Sequence, residues 1–380
     1  MDSIGQAQQA LAIARELDEP VLLARTLTAY GFIAGEGYDT EVARACFAEA
    51  IGLARALDDR WRLSQILASQ ALSARTAGDP LEVRATAEEG RDLAEAIGAR
   101  FNSRQCRFCL GWAQMMQGDL AGAVTQLGAV AAEAEAAHDE IWRVLSLAAE
   151  SLALARQGNA EAARAAAEAT REHGAELGGR FATSAFGHML LGFAALAAGN
   201  RAAAHEARES ARQDPSEFTG VTASLQRIWN TEAALADGDL ATARDWADEA
   251  VSTTTGWFSV WALTMRARVA IAAGDPKQAE RDARDALALG AEIKVYLLIP
   301  DILECLAALA GEAGSPREAV RVFGAAQALR QRIGAVRFKI YDAGYHASVT
   351  ALRDSIGAKD FECAWAEGGA LSTEEAIAYG

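Results

Sequence analysis

ALSARTAGDPLEVRATAEEG, residues 71–90, contains the turn that decides how the chain folds. At its centre stand Gly78, Asp79 and Pro80. A glycine ends a helix in the left-handed conformation that a side chain would oppose. The following aspartate caps the next helix. Proline suits the first helical position, where its missing N–H costs nothing. Three residues therefore spell a tight turn between two antiparallel helices.

The same turn recurs along the chain. Glycine followed by a capping residue appears at Gly78-Asp79, Gly118-Asp119, Gly158-Asn159, Gly199-Asn200, Gly238-Asp239, Gly274-Asp275 and Gly314-Ser315. Successive spacings are 40, 40, 41, 39, 36 and 40, and Gly37 lies 41 before the first. Pro276 and Pro316 repeat the role of Pro80. Seven residues before each of these seven glycines the residue is small: Ala71, Gly111, Ser151, Gly192, Thr231, Ala267 and Ala307. Five after it stand Ala123, Ala163, Ala204, Ala243, Ala279 and Ala319, with Val83 in the first turn. Twelve after it come Gly90, Ala211, Ala250, Ala286 and Ala326. Small residues at matched heights let two helices approach closely. Seventeen before the glycine stand Trp61, Phe101, Ile141, Val221, Trp257 and Leu297, with Phe181 one residue early. This register is expected to hold packing wedges, each worth roughly 2–3 kcal/mol once buried.

The pattern resembles the tetratricopeptide repeat over about residues 20–334. The period is about 40 rather than 34, and the helix-ending proline of the usual motif is absent. Repeats of this longer kind are similar to those of the MalT-like group of bacterial LuxR-type regulators. The expected fold is an all-α, right-handed α-solenoid of antiparallel helix pairs with about eighteen helices. Residues 1–18 read as the second helix of an incomplete pair and 19–58 as the first full pair. Six more pairs then run to about Gly334. Residues 1–334 form the solenoid and 335–380 a set of capping helices. Pro300 is expected to kink the first helix of the last pair or to start it late. The stretch QDPSEFTG, 213–220, reads as a less regular connection and a possible bend.

After Gly334 the beat fails. Residues 335–357 read as one helix, and AKDFECAWAEGGAL as a second with Phe361 and Trp365 on one face. Ser372 and Glu375 form a capping box that opens a third. A solenoid must cover its last apolar face, so an atypical end is expected on physical grounds. The order VFGAAQALRQRIGA, then LRDSIGAKDFECAWAEGGALSTEEAIAY, also resembles the region that precedes the helix-turn-helix of LuxR-type regulators. That resemblance implies a non-catalytic protein-interaction or effector-sensing module of such a regulator, without its own ATPase or DNA-binding domain. No G-x-x-x-x-G-K-[ST] occurs. The chain reads as a fragment or as a derived module. The alternative is a stand-alone adaptor unrelated to transcription.

Composition narrows the function further. The formal charge is −16, and most arginines alternate with acidic residues as on solvated helix faces. No clustered basic surface could neutralise phosphates. The start lacks a basic-then-apolar leader, and MLLGFAALAAG is too short to span a bilayer. A soluble, cytoplasmic chain is expected. Five scattered cysteines fit a reducing compartment. Cys106-x-x-Cys109 lacks the second pair that a structural zinc site needs and reads as packing. No two of the five histidines stand four apart, and no catalytic motif is present. No enzyme activity, cofactor or metal is expected.

The inner face carries the candidate site. In such a superhelix the first helix of each pair lines the concave side, at positions 13, 10, 6 and 3 before the glycine. This register selects Gln105, Phe108, Trp112 and Met115, then Phe186, Met189, Phe193 and Leu196, then Trp261, Thr264, Arg268 and Ile271. Phe108, Trp112, Phe186, Met189, Phe193 and Trp261 are the expected lining of a groove for a protein, peptide or small effector. The competing reading is that long helices coil tightly and the groove closes on itself. Purified chain is expected not to retard a random DNA duplex at about 150 mM salt; retardation would contradict the charge argument.

Overall fold

A computed structural model of the chain describes residues 3–37, 39–177, 184–213 and 220–380. Among these residues there are twenty α-helices, one 3₁₀ turn and no strand. A single helix, α1 (Ser3–Glu16), precedes eight antiparallel pairs, one more than the seven expected. The pairs are α2 (Pro20–Glu36) with α3 (Thr40–Ala56), α4 (Arg60–Ala77) with α5 (Pro80–Ala96), and α6 (Arg100–Met116) with α7 (Leu120–Ala136). Next come α8 (Glu140–Arg156) with α9 (Ala160–Glu176), and α10 (Ser184–Ala198) with α11 (Arg201–Arg212). The last three are α12 (Gly220–Asp237) with α13 (Leu240–Thr253), α14 (Gly256–Ala272) with α15 (Pro276–Glu292), and α16 (Ile299–Glu312) with α17 (Pro316–Arg332). The first helices of the pairs touch one another in succession and make the inner layer, while the second helices pack outside them.

The turns are built as the sequence implies. Gly78, Gly118, Gly158, Gly199, Gly238, Gly274 and Gly314 all have positive φ, whereas Gly37 does not. Asp79, Asp119, Asn159, Asn200, Asp239 and Asp275 accept hydrogen bonds from backbone N–H groups of the following turn. A second beat links one pair to the next: Asp18, Asp58, Gly98, His138, Lys294 and Gly334 are also left-handed. Glycine does not mark it consistently, so it is hidden from a search for glycine. Pro300 sits in the first turn of α16, so that helix starts late rather than kinking.

The superhelix closes on itself. The Trp257 N–H donates to the Gly78 carbonyl at 2.9 Å, the Tyr296 N–H to Met116 at 3.1 Å, and the Val336 N–H to Arg156 at 2.9 Å. The Thr255 hydroxyl donates to Ala77, 178 residues earlier. All four bonds join positions at nearly the same separation. One superhelical turn therefore takes between four and five pairs, and each later turn seats on the glycine corners of the earlier one.

This seating decides which wedges are buried. Trp257, Leu297 and Val221 are buried, and Ile141 is half-buried. Trp61 and Phe101 are instead 51% and 50% exposed. Phe181 lies outside the described residues, as do residues 214–219 of the irregular connection.

The C-terminal part also differs from expectation. Residues 335–341 do not continue a helix. They thread along the inner layer, with Phe338 and Ile340 buried, and end in a 3₁₀ turn at Lys339–Tyr341. Only then does α18 (Asp342–Ile356) begin, followed by α19 (Ala358–Gly369) and α20 (Thr373–Tyr379). All three touch α17. Phe361 is buried and stacks on the half-buried Trp365 at 5.4 Å. Ser372 and Glu375 form the expected capping box.

The inter-turn seat can be tested at one residue. Gly256 has φ +55°, and a Cβ there would land on the carbonyl oxygens of Ala77 and Gly78. Gly98 has φ +72° with open space around it. Gly98→Ala should cost about 1–2 kcal/mol of conformational strain. Gly256→Ala should add an overlap of about 1–3 kcal/mol. Urea unfolding of both variants measures the difference; equal costs would show that the seat contributes nothing.

Candidate functional site

The six residues expected to line an open groove are all buried. Phe108, Phe193 and Trp261 are 1% exposed, and Met189, Trp112 and Phe186 reach only 2%, 4% and 5%. The physical reason is the tight winding described above, which leaves no open channel at these positions. They correct the groove reading: the structure brings the aromatic residues together as a core. Trp142 meets Phe108 at 5.3 Å, Phe108 meets Trp112 at 6.5 Å, and Trp112 meets Trp257 at 5.7 Å. Trp257 meets Trp261 at 5.3 Å, Trp261 meets Phe193 at 5.6 Å, and Phe193 meets Trp229 at 5.2 Å. Four of these six contacts are edge-to-face, a geometry that the ring quadrupole favours, and the other two are tilted. Gly192 makes room for the last of them, since a Cβ there would enter the Trp229 ring.

Cys106 and Cys109 belong to the same core. Both are fully buried, and burial raises both thiols, Cys109 to about 12. They are protonated packing residues at neutral pH. Among the described residues, no group of three His, Cys, Asp or Glu could hold a metal ion.

Polar chemistry is concentrated beside the aromatic axis. Asp301 on α16 is a hub. It accepts from Arg268 of α14 at 2.7 Å, Arg330 of α17 at 3.0 Å and Arg156 of α8 at 3.4 Å. Burial alone would raise the Asp301 carboxyl, but the three guanidinium groups hold it well below the usual carboxylate range. Glu304, one turn further along α16, accepts from Arg330 at 2.8 Å and from Arg337 at 2.5 and 3.0 Å. Arg156 also lies over the rings of Trp261, at 4.4 Å, and Phe338, at 4.7 Å. Arg268 lies 4.5 Å over Tyr341. The cluster thus ties the threaded segment 335–341 to α8, α14 and α16.

Not every group in it is satisfied. Glu232 on α12 is fully buried, with the Trp261 indole beside it, and neither carboxylate oxygen makes a hydrogen bond of ordinary geometry. Burial raises its pKa, with Arg156 and Arg268 opposing. Arg156 Nε and Nη2 and the Tyr341 hydroxyl are likewise buried without partners. Against this cluster opens a cavity of about 380 Å³. Arg201, Arg268, Glu304, Arg337 and Tyr341 line it together with apolar side chains that include Leu235, Ile271 and Phe323. This cavity, rather than the aromatic axis, is the candidate site, because it opens beside the buried charged cluster.

Of its residues, the sequence reading singled out Arg268 and Ile271. The same inward register, applied to the turns at Gly238 and Gly314, selects Glu232, Asp301 and Glu304 as well. Charged residues in an inward register were the available signal. Arg337 and Tyr341 had none, because they lie where the repeat has ended.

No family model matches the chain. It is 49% identical over 382 residues to proteins of Mycobacterium tuberculosis (strain ATCC 25618 / H37Rv) and Mycobacterium bovis (strain ATCC BAA-935 / AF2122/97). Both are provisionally named HTH-type transcriptional regulators. The match takes in the whole of this chain and 42% of each relative's length. Among solved structures, the apo form of the quorum sensor NprR from B. thuringiensis aligns with 90% of this chain and 99% of its own. That alignment has 13% identity and a TM-score of 0.45. The P58(IPK) TPR domain aligns at a TM-score of 0.26, with 10% identity and 93% of this chain and 99% of its own covered. Both likenesses are too loose to add to the fold described above.

Two sets of variants separate the axis from the cluster. Trp112→Ala and Phe193→Ala should each cost about 3–5 kcal/mol and lower the melting temperature, as core truncations do; unchanged melting of both would restore the groove reading. Asp301→Asn removes the shared counter-charge of three buried arginines and should cost about 3–5 kcal/mol. A carboxyl held below its unfolded value stabilises the fold fully above the ordinary aspartate pKa of about 3.9. Its contribution disappears as pH falls through the depressed folded value. Urea midpoints of wild type and Asp301→Asn should therefore differ widely at neutral pH and converge in acid; a constant difference would contradict the assignment.

Proposed function

We propose that this chain is the helical-repeat sensing region of a LuxR-type, helix-turn-helix transcriptional regulator, working in the cytoplasm without catalysis. One observation carries the reading: the 49% identity along the full chain to proteins provisionally named as such regulators. The order of residues in 322–379, VFGAAQALRQRIGA to EAIAY, supports the LuxR-type assignment. Among the described residues, no helix is long and apolar enough to cross a membrane.

The geometry supports effector sensing over docking of a long peptide along the array. The inward aromatic residues are buried, so they offer a peptide no open track. The concavity that adjoins the buried charged cluster is the 380 Å³ cavity, within the usual size range of small-molecule sites. Its wall includes Arg337, Ile340 and Tyr341 of the threaded segment and Tyr345 of α18. An occupant would bias the position of that segment and, through it, α18 to α20. A buried ionic cluster is an inefficient source of stability, since well-packed apolar side chains do as well or better. It suits an element that must hold one arrangement until a ligand favours another.

Purified chain equilibrated with a small-molecule extract of its own cells, then desalted and denatured, should release a retained metabolite. That metabolite should raise the melting temperature and come back chemically unchanged. Retention of nothing would overturn effector sensing, and conversion of the retained molecule would overturn a non-catalytic role.

A further inference from the structure

We propose that the cavity between α12, α14, α16 and the threaded segment binds a small organic anion, whose charged group meets Arg201, Arg268 and the Tyr341 hydroxyl and whose apolar body lies against Leu235, Ile271 and Phe323. The inference deepens the sensing reading and rests on it for the meaning of occupancy.

The first argument is the charge on the wall. The chain carries a formal charge of −16, yet this cavity is lined by Arg201, Arg268 and Arg337 against the single carboxylate of Glu304. That carboxylate is already spent. Its Oε1 accepts from Arg330 and Arg337, and its Oε2 from Arg337. Arg337 has a further counter-charge in Asp342 at 3.5 Å, so it is the best compensated of the three. Arg268 meets Asp301 through Nη2 alone, and Asp301 is shared with two more arginines. Arg201 makes no ion pair among the described residues. The wall therefore holds more positive charge than its own carboxylates neutralise.

The second argument is the unpartnered donor. The Tyr341 hydroxyl is buried without a hydrogen-bond partner in a residue that lines the cavity. Burial pushes this phenol up, so it keeps its proton and remains a donor. A buried donor without an acceptor is costly and is normally satisfied. A carboxylate or phosphoryl oxygen would satisfy it and gain the guanidinium donors of Arg268 together.

The third argument is the rest of the wall. Most of the exposed lining is apolar, from Leu235, Ile271, Phe323 and Ile340 among others. An inorganic ion would leave that surface wet. A ring or short alkyl body would cover it, as in other sites that combine an apolar wall with a few convergent polar groups.

Three anionic probes, 2-naphthoate, octanoate and phenyl phosphate, are titrated into the purified full chain by calorimetry, alongside inorganic phosphate and the neutral 2-naphthamide. At least one organic anion should bind and raise the melting temperature. For 2-naphthoate, the neutral amide should bind roughly tenfold more weakly or not at all, the loss expected for charge-assisted hydrogen bonds. Arg201→Gln should leave the melting temperature of the empty protein unchanged, since it loses no ion pair, and Tyr341→Phe should leave it equal or higher, since it removes a buried donor that has no partner. Each should weaken binding of the best organic anion by roughly three- to tenfold. If none of the three organic anions binds at millimolar concentration, or the amide binds as well as the acid, the proposal is overturned. Equal affinity in both variants also overturns it, because the anion would then sit elsewhere. Inorganic phosphate binding as tightly as phenyl phosphate would overturn the role of the apolar wall. A neutral metabolite recovered from the cell extract would leave effector sensing standing and remove only the anion.

Discussion

The structure depends on a backbone hydrogen bond between residues a full superhelical turn apart, that of the Trp257 N–H to the Gly78 carbonyl. Its equivalents at Tyr296 on Met116 and Val336 on Arg156 keep the same separation. A solenoid whose pairs met only their neighbours could be wound more or less tightly at little cost. Here the left-handed glycine corners bring bare backbone to the surface of one turn, and the next turn takes it as a seat. The close approach at Gly78 and Gly256 leaves no room for a side chain. Winding is thereby set, and with it the width of the interior.

The narrow interior explains the two materials found there. In the first stretch it is filled by rings, from Trp142 through Trp112, Trp261 and Phe193 to Trp229. Further on, arginines lie over the last rings, and carboxylates on α12 and α16 answer them. Arg156 joins the two zones, placed over Trp261 and Phe338 and reaching Asp301. An aromatic face tolerates a guanidinium where an aliphatic wall would not. The cluster holds residues 335–341 inside the array and so connects the cavity to the helices beyond the last pair.

Much of this architecture was legible in the sequence, and the reasons are local. The glycine corner, the capping Asp or Asn and the proline at the first helical position act within a few residues. Their recurrence gave the pairs, their antiparallel sense and the break after Gly334. Errors fell where the deciding contact was distant or the marker changed. The count of pairs was one short although Gly37 and the seven capped glycines mark eight corners, and the left-handed Asp58, His138 and Lys294 hid the second set of turns. Trp61 and Phe101 share a register with Trp257, yet they are half-exposed while Trp257, seated on the Gly78 corner, is buried. Residues 335–341 were expected to open a helix, yet the Val336 N–H bonds to Arg156 and the segment lies along the inner layer.

For the site, the sequence by itself determined which side chains face inward, because that follows from helical periodicity and the position of each corner. It placed Phe108, Trp112, Phe186, Met189, Phe193 and Trp261 on the inner face, and by the same rule Glu232, Arg268, Asp301 and Glu304. Only the tertiary structure decided whether that face is a groove or a core, and where a cavity survives. The physical reason is accumulation. A small rotation between neighbouring pairs, summed over four or five of them, sets whether opposite walls stand apart or touch. No single turn carries enough information to fix that sum, whereas the bonds between successive superhelical turns do.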